Sequence, residues 1–123
     1  MVGYVSVAAP NYCEVTTIID TEMQAGALIT RTREVSIAEG DYTLLESGRL
    51  RLSYLKQDAD ILSGDTVETS GRGGLFPKGI MIGTVEQIVP EGHGMSNYAI
   101  VRPFVDVDTV SHVFIIKDFE VTE

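Results

Sequence analysis

Histidine, serine and aspartate are the residue types in this chain that could together support nucleophilic catalysis. A serine hydrolase needs a serine whose hydroxyl is activated by a histidine, which a carboxylate in turn orients. His93 lies in a turn-like segment and His112 begins a predicted strand, and idle histidines are common in both places. Ser70 precedes Gly71 and comes nearest to a nucleophile, but it lacks the preceding Gly-Asp that shapes an oxyanion loop. The sequence therefore predicts no catalytic residue.

The glycine-rich stretch from Thr69 to Val85 is the second place where chemistry is conceivable, because such loops can cradle phosphate. A Walker-type loop requires Gly-Lys followed by serine or threonine at the start of a helix. Here Lys78-Gly79 leads into the strand-like Ile80-Met81-Ile82. The glycines at 71, 73 and 74 also lack the spacing of the dinucleotide motif. We predict no nucleotide site and no cofactor.

Metal ligands are sparse in the sequence. Cys13 is the only cysteine, which excludes an intramolecular disulfide and any multi-thiolate site. An apolar, β-branched run follows it, so the pattern predicts a buried and inert thiol. If Val105 to Asp108 is extended, Asp106 and Asp108 share one face and could attract calcium weakly, but solvated carboxylates are the better interpretation. We therefore predict no metal site.

Composition places the chain among globular proteins. It has 123 residues, of which 44% are apolar and 22% charged, with a net charge of −9. This excess of acidic residues argues against nucleic acid as a partner. The nearest basic grouping is predicted to form a solvated surface; it consists of Arg31, Arg33, Arg49 and Arg51. No run approaches the roughly 18 to 20 apolar residues of a membrane span, so the chain taken alone is predicted to be soluble.

Short strands between turn residues dominate the pattern, and helical periodicity is nearly absent. The predicted strands are Gly3 to Val7, Glu14 to Ile19, Ala27 to Arg33, Asp41 to Glu46, Arg49 to Leu55, Thr66 to Thr69, Met81 to Val89, Ser96 to Arg102 and His112 to Lys117. Many short strands with frequent turns are typical of barrels and sandwiches. The predicted fold class is all-β, as two small barrel-like units packed together.

Domain boundaries follow from the most polar interruption. We predict a first unit at residues 1–56, a connecting segment at 57–64 and a second unit at 65–123. Within them, Ser47-Gly48 is predicted to join two strands of a hairpin. Alternation predicts Leu50, Leu52 and Tyr54 on one buried face. The run from Val113 to Ile116 is apolar throughout, which predicts a strand covered on both faces.

A structural role is the remaining interpretation of the glycine-rich stretch. Its glycines permit positive φ and close backbone contact, and Pro77 fixes φ before the Lys78-Gly79 turn. Leu75 and Phe76 are predicted to close one end of a barrel. Whether the loop binds a partner depends on Phe76, because an exposed phenylalanine on a rigid turn is a typical partner anchor. Burial of Phe76 is the favoured alternative.

The same stretch resembles the signature of the MreC family of bacterial rod-shape-determining proteins, which usually reads T-S-G-x-G-G-x-F-P-K-G-x-x-x-G. The matching residues are Thr69-Ser70-Gly71, Gly73-Gly74, Phe76-Pro77-Lys78-Gly79 and Ile82-Gly83. Weaker matches extend over almost the whole chain, including Gly3-Tyr4-Val5, Pro10-Asn11-Tyr12, Val15 to Asp20, Arg31, Leu52 to Leu55, Asp60-Ile61, Gly64-Asp65 and Val101 with Pro103. The structural part of the signature is expected to be Gly71, Gly73, Gly74, Pro77, Gly79 and Gly83.

This resemblance implies a non-enzymatic scaffold of the cell-elongation complex, outside the cytoplasmic membrane. The implied partners are a second copy of the protein in a dimer or filament, the elongation transpeptidase (a class B penicillin-binding protein), MreD and MreB. Anchoring to the membrane would come only from an N-terminal helix that this chain lacks. The family also has strands before the point where this chain starts, so the first unit is expected to be incomplete and to expose an edge.

Two residues depart from the family pattern: Cys13 stands where serine is common, and Arg72 where leucine is common. Arg72, Phe76 and Lys78 are the expected partner-contact loop. Two alternatives stay open: a trypsin-like double-barrel hydrolase and a peptidoglycan- or carbohydrate-binding module. The module would need an exposed aromatic platform, which could be drawn from Tyr4, Tyr12, Tyr42, Tyr98 and Phe76.

Overall fold

The computed structural model describes residues 1–56, 60–72, 75–90 and 96–117, and it is nearly all-β, as predicted. The elements in chain order are β1 (Gly3–Ala8), β2 (Cys13–Thr17), β3 (Gln24–Ile29), β4 (Val35–Glu39), α1 (Tyr42–Leu45), β5 (Leu50–Lys56), β6 (Thr66–Thr69), β7 (Met81–Pro90) and β8 (Ser96–Pro103). Among the described residues, no helix is long and apolar enough to cross a bilayer.

Six strands close into a barrel in the order β3-β4-β5-β8-β7-β6, and every neighbouring pair is antiparallel. The barrel closes where β6 returns to β3, with Ala27 opposite Thr69 and Ile29 opposite Val67. Inward side chains from all six strands fill the interior; the fully buried ones include Ala27, Ile29, Leu50, Leu52, Val67, Ile82, Ala99 and Val101. Closure leaves the barrel without an unpaired edge.

A separate two-stranded sheet is formed by β1 and β2, which we call the hairpin. Val5 lies opposite Val15, and the pairing continues past the strands because the Ile18 N–H donates to the Val2 carbonyl oxygen at 2.8 Å. Ile18 and Ile19 then enter the barrel core. The hairpin is therefore attached through its base.

The barrel has two distinguishable ends. Gln24 pairs with Glu39 and Ala27 with Thr69, so β3 begins at the end where β4 and β6 finish. We call this the hairpin end, because β2 leads into it. The opposite, distal end carries Arg31 and Asp65. Loops at the hairpin end therefore lie on the side of the barrel to which the hairpin is attached.

The predicted hairpin of Asp41 to Glu46 with Arg49 to Leu55 is wrong in its first strand. That segment contains α1, whose Asp41 cap accepts a hydrogen bond from the Thr43 N–H at 2.8 Å. Gly48 has a φ of +70°, but it ends this helix, with its N–H donating to the Leu45 carbonyl oxygen. The capping interaction outweighs the β propensity of the Tyr-Thr pair.

The strand that precedes β5 in the sequence and pairs with it is instead β4, which the sequence pattern did not predict. Its buried positions are Ser36 and Ala38, which are too small or polar to give a hydrophobic alternation signal.

Alternation along β5 is broken at Tyr54. Leu50 and Leu52 are fully buried as predicted, but Tyr54 is 68% exposed and has a φ of +63°. The register with β8 shifts between Leu52 and Leu55, which identifies a β-bulge. A bulge inserts one residue and reverses the face of the side chains beyond it, so the prediction of a buried Tyr54 is wrong.

The predicted strand His112 to Lys117 is also wrong for the described structure. These residues have no regular secondary structure, and Phe114 is completely exposed. Apolar composition predicts a strand, but a strand also needs a neighbour to pair with.

The division into units at 1–56 and 65–123 stays a prediction. Within the described residues, β3, β4 and β5 precede segment 57–64 and β6, β7 and β8 follow it, and all six share one barrel.

The four arginines predicted to face solvent lie on the outside of the barrel, and each contacts a carboxylate: Arg31 with Asp65, Arg33 with Glu68, Arg49 with Glu86, and Arg51 with Glu39. The carboxylate of the first pair is the most buried of the four. Arg31 Nε and Nη2 donate to the two carboxylate oxygens of Asp65 at 2.9 and 3.0 Å. Asp65 also accepts from the Leu62 N–H at 2.8 Å, and its side chain is only 8% exposed. The hydrogen bonds from Arg31 lower the pKa of Asp65.

Asp65→Asn is predicted to destabilise the fold by roughly 1 to 3 kcal/mol at pH 7, because Arg31 loses a charged bidentate acceptor. The folded-state pKa lies below the unfolded value of about 4, so this contribution exists above that pH and is lost as the pH falls. Urea unfolding at pH 7 and pH 3 should therefore show a deficit that shrinks in acid. Asp60→Asn is the control, because that side chain is 71% exposed and its loss should cost less. An Asp65→Asn deficit of equal size at both pH values contradicts the prediction.

Candidate functional site

Residues 70–80 connect β6 to β7 at the hairpin end; we call them the signature loop. Its base is closed by Thr69, which is fully buried. Thr69 Oγ1 donates to the Pro77 carbonyl oxygen at 2.6 Å and accepts from the Ile80 N–H at 2.8 Å. The Thr69 backbone adds bonds to Ile80 and Gly79 at 2.9 Å each. One threonine thus satisfies polar groups from both the turn and the returning strand.

The first residues of the signature loop are fixed by a second set of contacts. The Ser70 N–H donates to the Gly26 carbonyl oxygen at 3.0 Å, and Ser70 Oγ accepts from the Arg72 N–H at 3.2 Å. Gly71 has a φ of +76°, and a Cβ there would lie 2.9 Å from the Lys78 Cβ. Glycine is therefore required at this position by both conformation and space.

The remaining signature glycines fall into two groups. Gly79 has a φ of +85°, and a Cβ on Gly83 would overlap the Arg102 carbonyl oxygen on the neighbouring strand. Gly73 and Gly74 lie outside the described residues. The described glycines of the signature therefore serve to shape the backbone. Ser70, the candidate nucleophile, is buried, and its hydroxyl oxygen accepts a hydrogen bond within the turn.

Phe76 connects the signature loop to the hairpin. It is half-buried against the barrel core, and its ring meets Tyr4 of β1 edge-to-face, with centroids 5.9 Å apart and planes at 79°. Such pairs add about 0.5 to 1.5 kcal/mol beyond the area that they bury. Phe76 thus holds the hairpin and the loop in one arrangement.

Three side chains of the loop project into solvent: Arg72, Leu75 and Lys78. The prediction that Leu75 closes the barrel is wrong, because this side chain is 76% exposed. The exposure of Leu75 was not predicted because an apolar residue beside Phe76 resembles a core residue in sequence. Only the geometry of the loop distinguishes an exposed position from a buried one. Because hydrogen bonds hold the backbone at residues 70–72 and 77–80, Arg72 and Lys78 could contact a partner with little loss of backbone entropy.

The other residues whose side chains could act in catalysis or metal binding are not gathered at this loop. His93 lies outside the described residues, and His112 contacts the hydroxyl of its neighbour Ser111 at 3.1 Å on an exposed segment. Among the described residues, no group of three or more histidine, cysteine, aspartate or glutamate side chains could hold a metal ion. Cys13 is exposed on β2, so the prediction of a buried thiol is wrong.

The aromatic residues proposed for a sugar platform are dispersed. Tyr4 contacts Phe76, Tyr98 is covered by the Arg51 guanidinium at 4.1 Å, and Tyr12 and Tyr42 are exposed on the hairpin and α1. A stacking platform needs neighbouring exposed rings, and these rings are divided among different elements.

Residues 1–117 match the family described as rod shape-determining protein MreC, barrel core. The chain belongs to the MreC family. The cell shape-determining protein MreC of Geobacillus stearothermophilus is 36% identical over 74 residues, which cover 58% of this chain and 26% of that protein. The chain therefore spans about a quarter of the length of this curated relative.

Solved MreC structures share the fold. The crystal structure of MreC from Pseudomonas aeruginosa has a TM-score of 0.75 at 27% identity, covering 83% of this chain and 64% of that one. MreC in a complex with penicillin-binding protein PBP2 from Helicobacter pylori has a TM-score of 0.65 at 21% identity, covering 80% and 60%. At that identity the second likeness establishes the fold alone.

Thr69→Val is predicted to remove the base of the signature loop while preserving side-chain shape. The Ile80 N–H and the Pro77 carbonyl oxygen would each lose a buried partner, at a cost of roughly 1 to 3 kcal/mol. Urea unfolding measures this loss, and amide hydrogen exchange in residues 75–80 should accelerate. Thr66→Val, on the same strand with a partly exposed side chain, should stay within about 0.5 kcal/mol of the wild type. Equal stability of the two variants contradicts the assigned role of Thr69.

Proposed function

We propose that this chain is the barrel region of a non-enzymatic scaffold that organises lateral peptidoglycan synthesis in the bacterial cell-elongation complex. The observation that carries the proposal is the MreC match over residues 1–117, together with a signature loop whose polar groups are used for folding. The described part of the loop carries exposed side chains, and hydrogen bonds hold its backbone at residues 70–72 and 77–80, which suits a docking surface.

The proposed principal partner is the elongation transpeptidase, a class B penicillin-binding protein. The complex of MreC with a penicillin-binding protein from Helicobacter pylori supports this choice. A scaffold changes the activity of a synthase by binding its active and inactive conformations with unequal affinity. Catalysis therefore belongs to the partner, and the scaffold contributes a shift in the population of the active state.

The proposed contact surface is the signature loop, with Arg72, Leu75 and Lys78 as the exposed contacts and Phe76 as the residue that positions them. Leu75 provides exposed apolar area, and the exposed cationic residues Arg72 and Lys78 stand three positions before and after it in the sequence. Apolar anchors flanked by charged groups are typical of protein interfaces, where the charges favour one orientation of the partner.

Self-association and location complete the proposal. We assign the protein to the outer face of the cytoplasmic membrane, in a dimer or filament and in a complex with MreD and MreB. The hairpin supports self-association, because each of its two strands has only one neighbour among the described residues. Open edges can pair with another chain.

Arg72→Ala, Leu75→Ala and Lys78→Ala are each predicted to weaken binding to the elongation transpeptidase of the same organism. An interface anchor is worth at least about 1 kcal/mol, which corresponds to roughly a fivefold rise in Kd. The Kd values are measured by immobilising the transpeptidase on a surface and titrating each variant of the chain over it.

Matched controls come from the distal end, where Leu62 and Lys56 are also exposed. Leu62→Ala and Lys56→Ala should leave the Kd unchanged, because neither residue belongs to the loop. Binding that is equally insensitive to all five substitutions would move the contact away from the signature loop. A wild-type chain that does not bind the transpeptidase at all would count against the proposed function.

A further inference from the structure

Tyr54 is an exposed aromatic residue in an unfavourable backbone conformation. It lies within β5, has a φ of +63° and is 68% exposed. The left-handed region is unfavourable for a residue that carries a Cβ, and an aromatic side chain stabilises a fold mainly through burial. The stability of the fold therefore does not account for a tyrosine at this position. Backbone outliers of this kind are concentrated at functional sites.

The register of the sheet places Tyr54 in a row of residues that crosses four strands. In the bulge, Ser53 and Tyr54 together lie opposite Tyr98 of β8. Ser53 is paired with Ile37 of β4, and Tyr98 is paired with Val89 of β7. Neighbouring strands are about 4.8 Å apart, so the row spans roughly 14 Å. We call Ile37, Tyr54, Tyr98 and Val89 the outer row.

The outer row lies on the outside of the barrel. The residues next to its members in the chain are the ones that pack in or against the core: Ala38, Leu55, Ala99 and Ile88. Successive side chains of a strand alternate between the two faces of the sheet, so Ile37, Tyr98 and Val89 face outward. Each of these three is partly exposed, and Tyr54 is the most exposed member. The outer row is therefore a narrow apolar strip on the barrel surface.

Ordered polar groups border this strip. Arg51 Nε donates to Ser53 Oγ at 2.8 Å, and Ser53 Oγ donates to Glu39 Oε1 at 2.6 Å. Arg51 Nη1 also lies 3.9 Å from Asp41 Oδ2, and the guanidinium lies over the Tyr98 ring, 4.1 Å from its centroid. A planar donor and two carboxylates are thus held in place, and they have little side-chain freedom to lose when a ligand binds.

Size and charge limit what can bind to the outer row. A specific protein interface buries about 800 Å² on each partner, which is far more than one exposed ring and three mostly covered side chains provide. Nucleic-acid bases also stack on exposed aromatic rings, but a net charge of −9 disfavours a phosphate backbone. A neutral oligosaccharide meets both limits. The C–H groups on one face of a pyranose ring pack against an aromatic ring, and its hydroxyl groups bond to planar charged side chains.

We propose that the outer row is a binding site for a neutral oligosaccharide. The sugar chain lies across the strands with one pyranose ring over Tyr54, and its hydroxyl groups bond to Arg51 and Glu39. The aromatic platform predicted from the sequence lacked Tyr54, because the alternation pattern placed that residue in the core. This site is separate from the signature loop, and it does not depend on the proposed transpeptidase contact.

The test is a titration of the ¹⁵N-labelled chain with a β-1,4-linked N-acetylglucosamine tetramer, followed by the NMR shifts of the backbone amides. The shifts should be confined to residues 35–39, 51–56, 87–90 and 97–100. Tyr54→Asn removes the ring, and asparagine tolerates the left-handed region, so this variant should keep its urea midpoint. Its Kd should rise at least roughly fivefold.

Two further variants serve as controls. Tyr54→Phe should bind like the wild type, because stacking depends on the ring and not on the hydroxyl group. Tyr12→Asn should also leave the Kd unchanged, because Tyr12 is 63% exposed but lies in the turn of the hairpin.

Each outcome of the titration decides the proposal. Shifts at the outer row that are weakened by Tyr54→Asn and retained by both controls support the site. No shift up to the solubility limit of the tetramer overturns it, and so does a Kd that Tyr54→Asn leaves unchanged. The same titration is repeated with the elongation transpeptidase of the same organism. Shifts at the outer row with the transpeptidase and none with the tetramer would identify a protein contact and overturn the proposal.

Discussion

Closure of the barrel through β6 is the constraint on which the rest of the structure depends. This short strand pairs with β3 on one side and β7 on the other, and it thereby joins the first strand of the barrel to the strands that follow β6 in the sequence. Its final residue, Thr69, is both a rung of the closing ladder and the anchor of the signature loop. Loop geometry and barrel closure are therefore coupled: a change at Thr69 affects both.

Several residues of the signature have a structural role at the point where the barrel closes. Thr69 closes the base, Ser70 caps the first turn, Gly71 permits the left-handed conformation against Lys78, and Phe76 holds the hairpin through Tyr4. None of these contacts needs a substrate. The residues that resemble catalytic or phosphate-binding elements in sequence are used to shape backbone, and the side chains left for a partner are those at the exposed positions between them.

Sequence patterns predicted the strands that carry alternating large apolar residues, such as β5 and β7, because burial on one face leaves a period of two. They failed where another interaction dominated: at Asp41, whose cap begins a helix, at Tyr54, where a bulge reverses the face, and at β4, whose buried side chains are small. Leu75 was misplaced because exposure of a loop residue depends on long-range geometry. The resemblance of residues 69–83 to a known signature predicted the family, whereas the contacts that explain the signature required coordinates.

We propose above all that the signature loop is the contact surface for a partner at the hairpin end of the barrel. The most direct test is amide hydrogen exchange of the chain, free and bound to the elongation transpeptidase of the same organism. We expect slower exchange in the bound state for residues 72–80, with little change at residues 60–66 of the distal end. Protection confined to the distal end, with the signature loop unchanged, would contradict it.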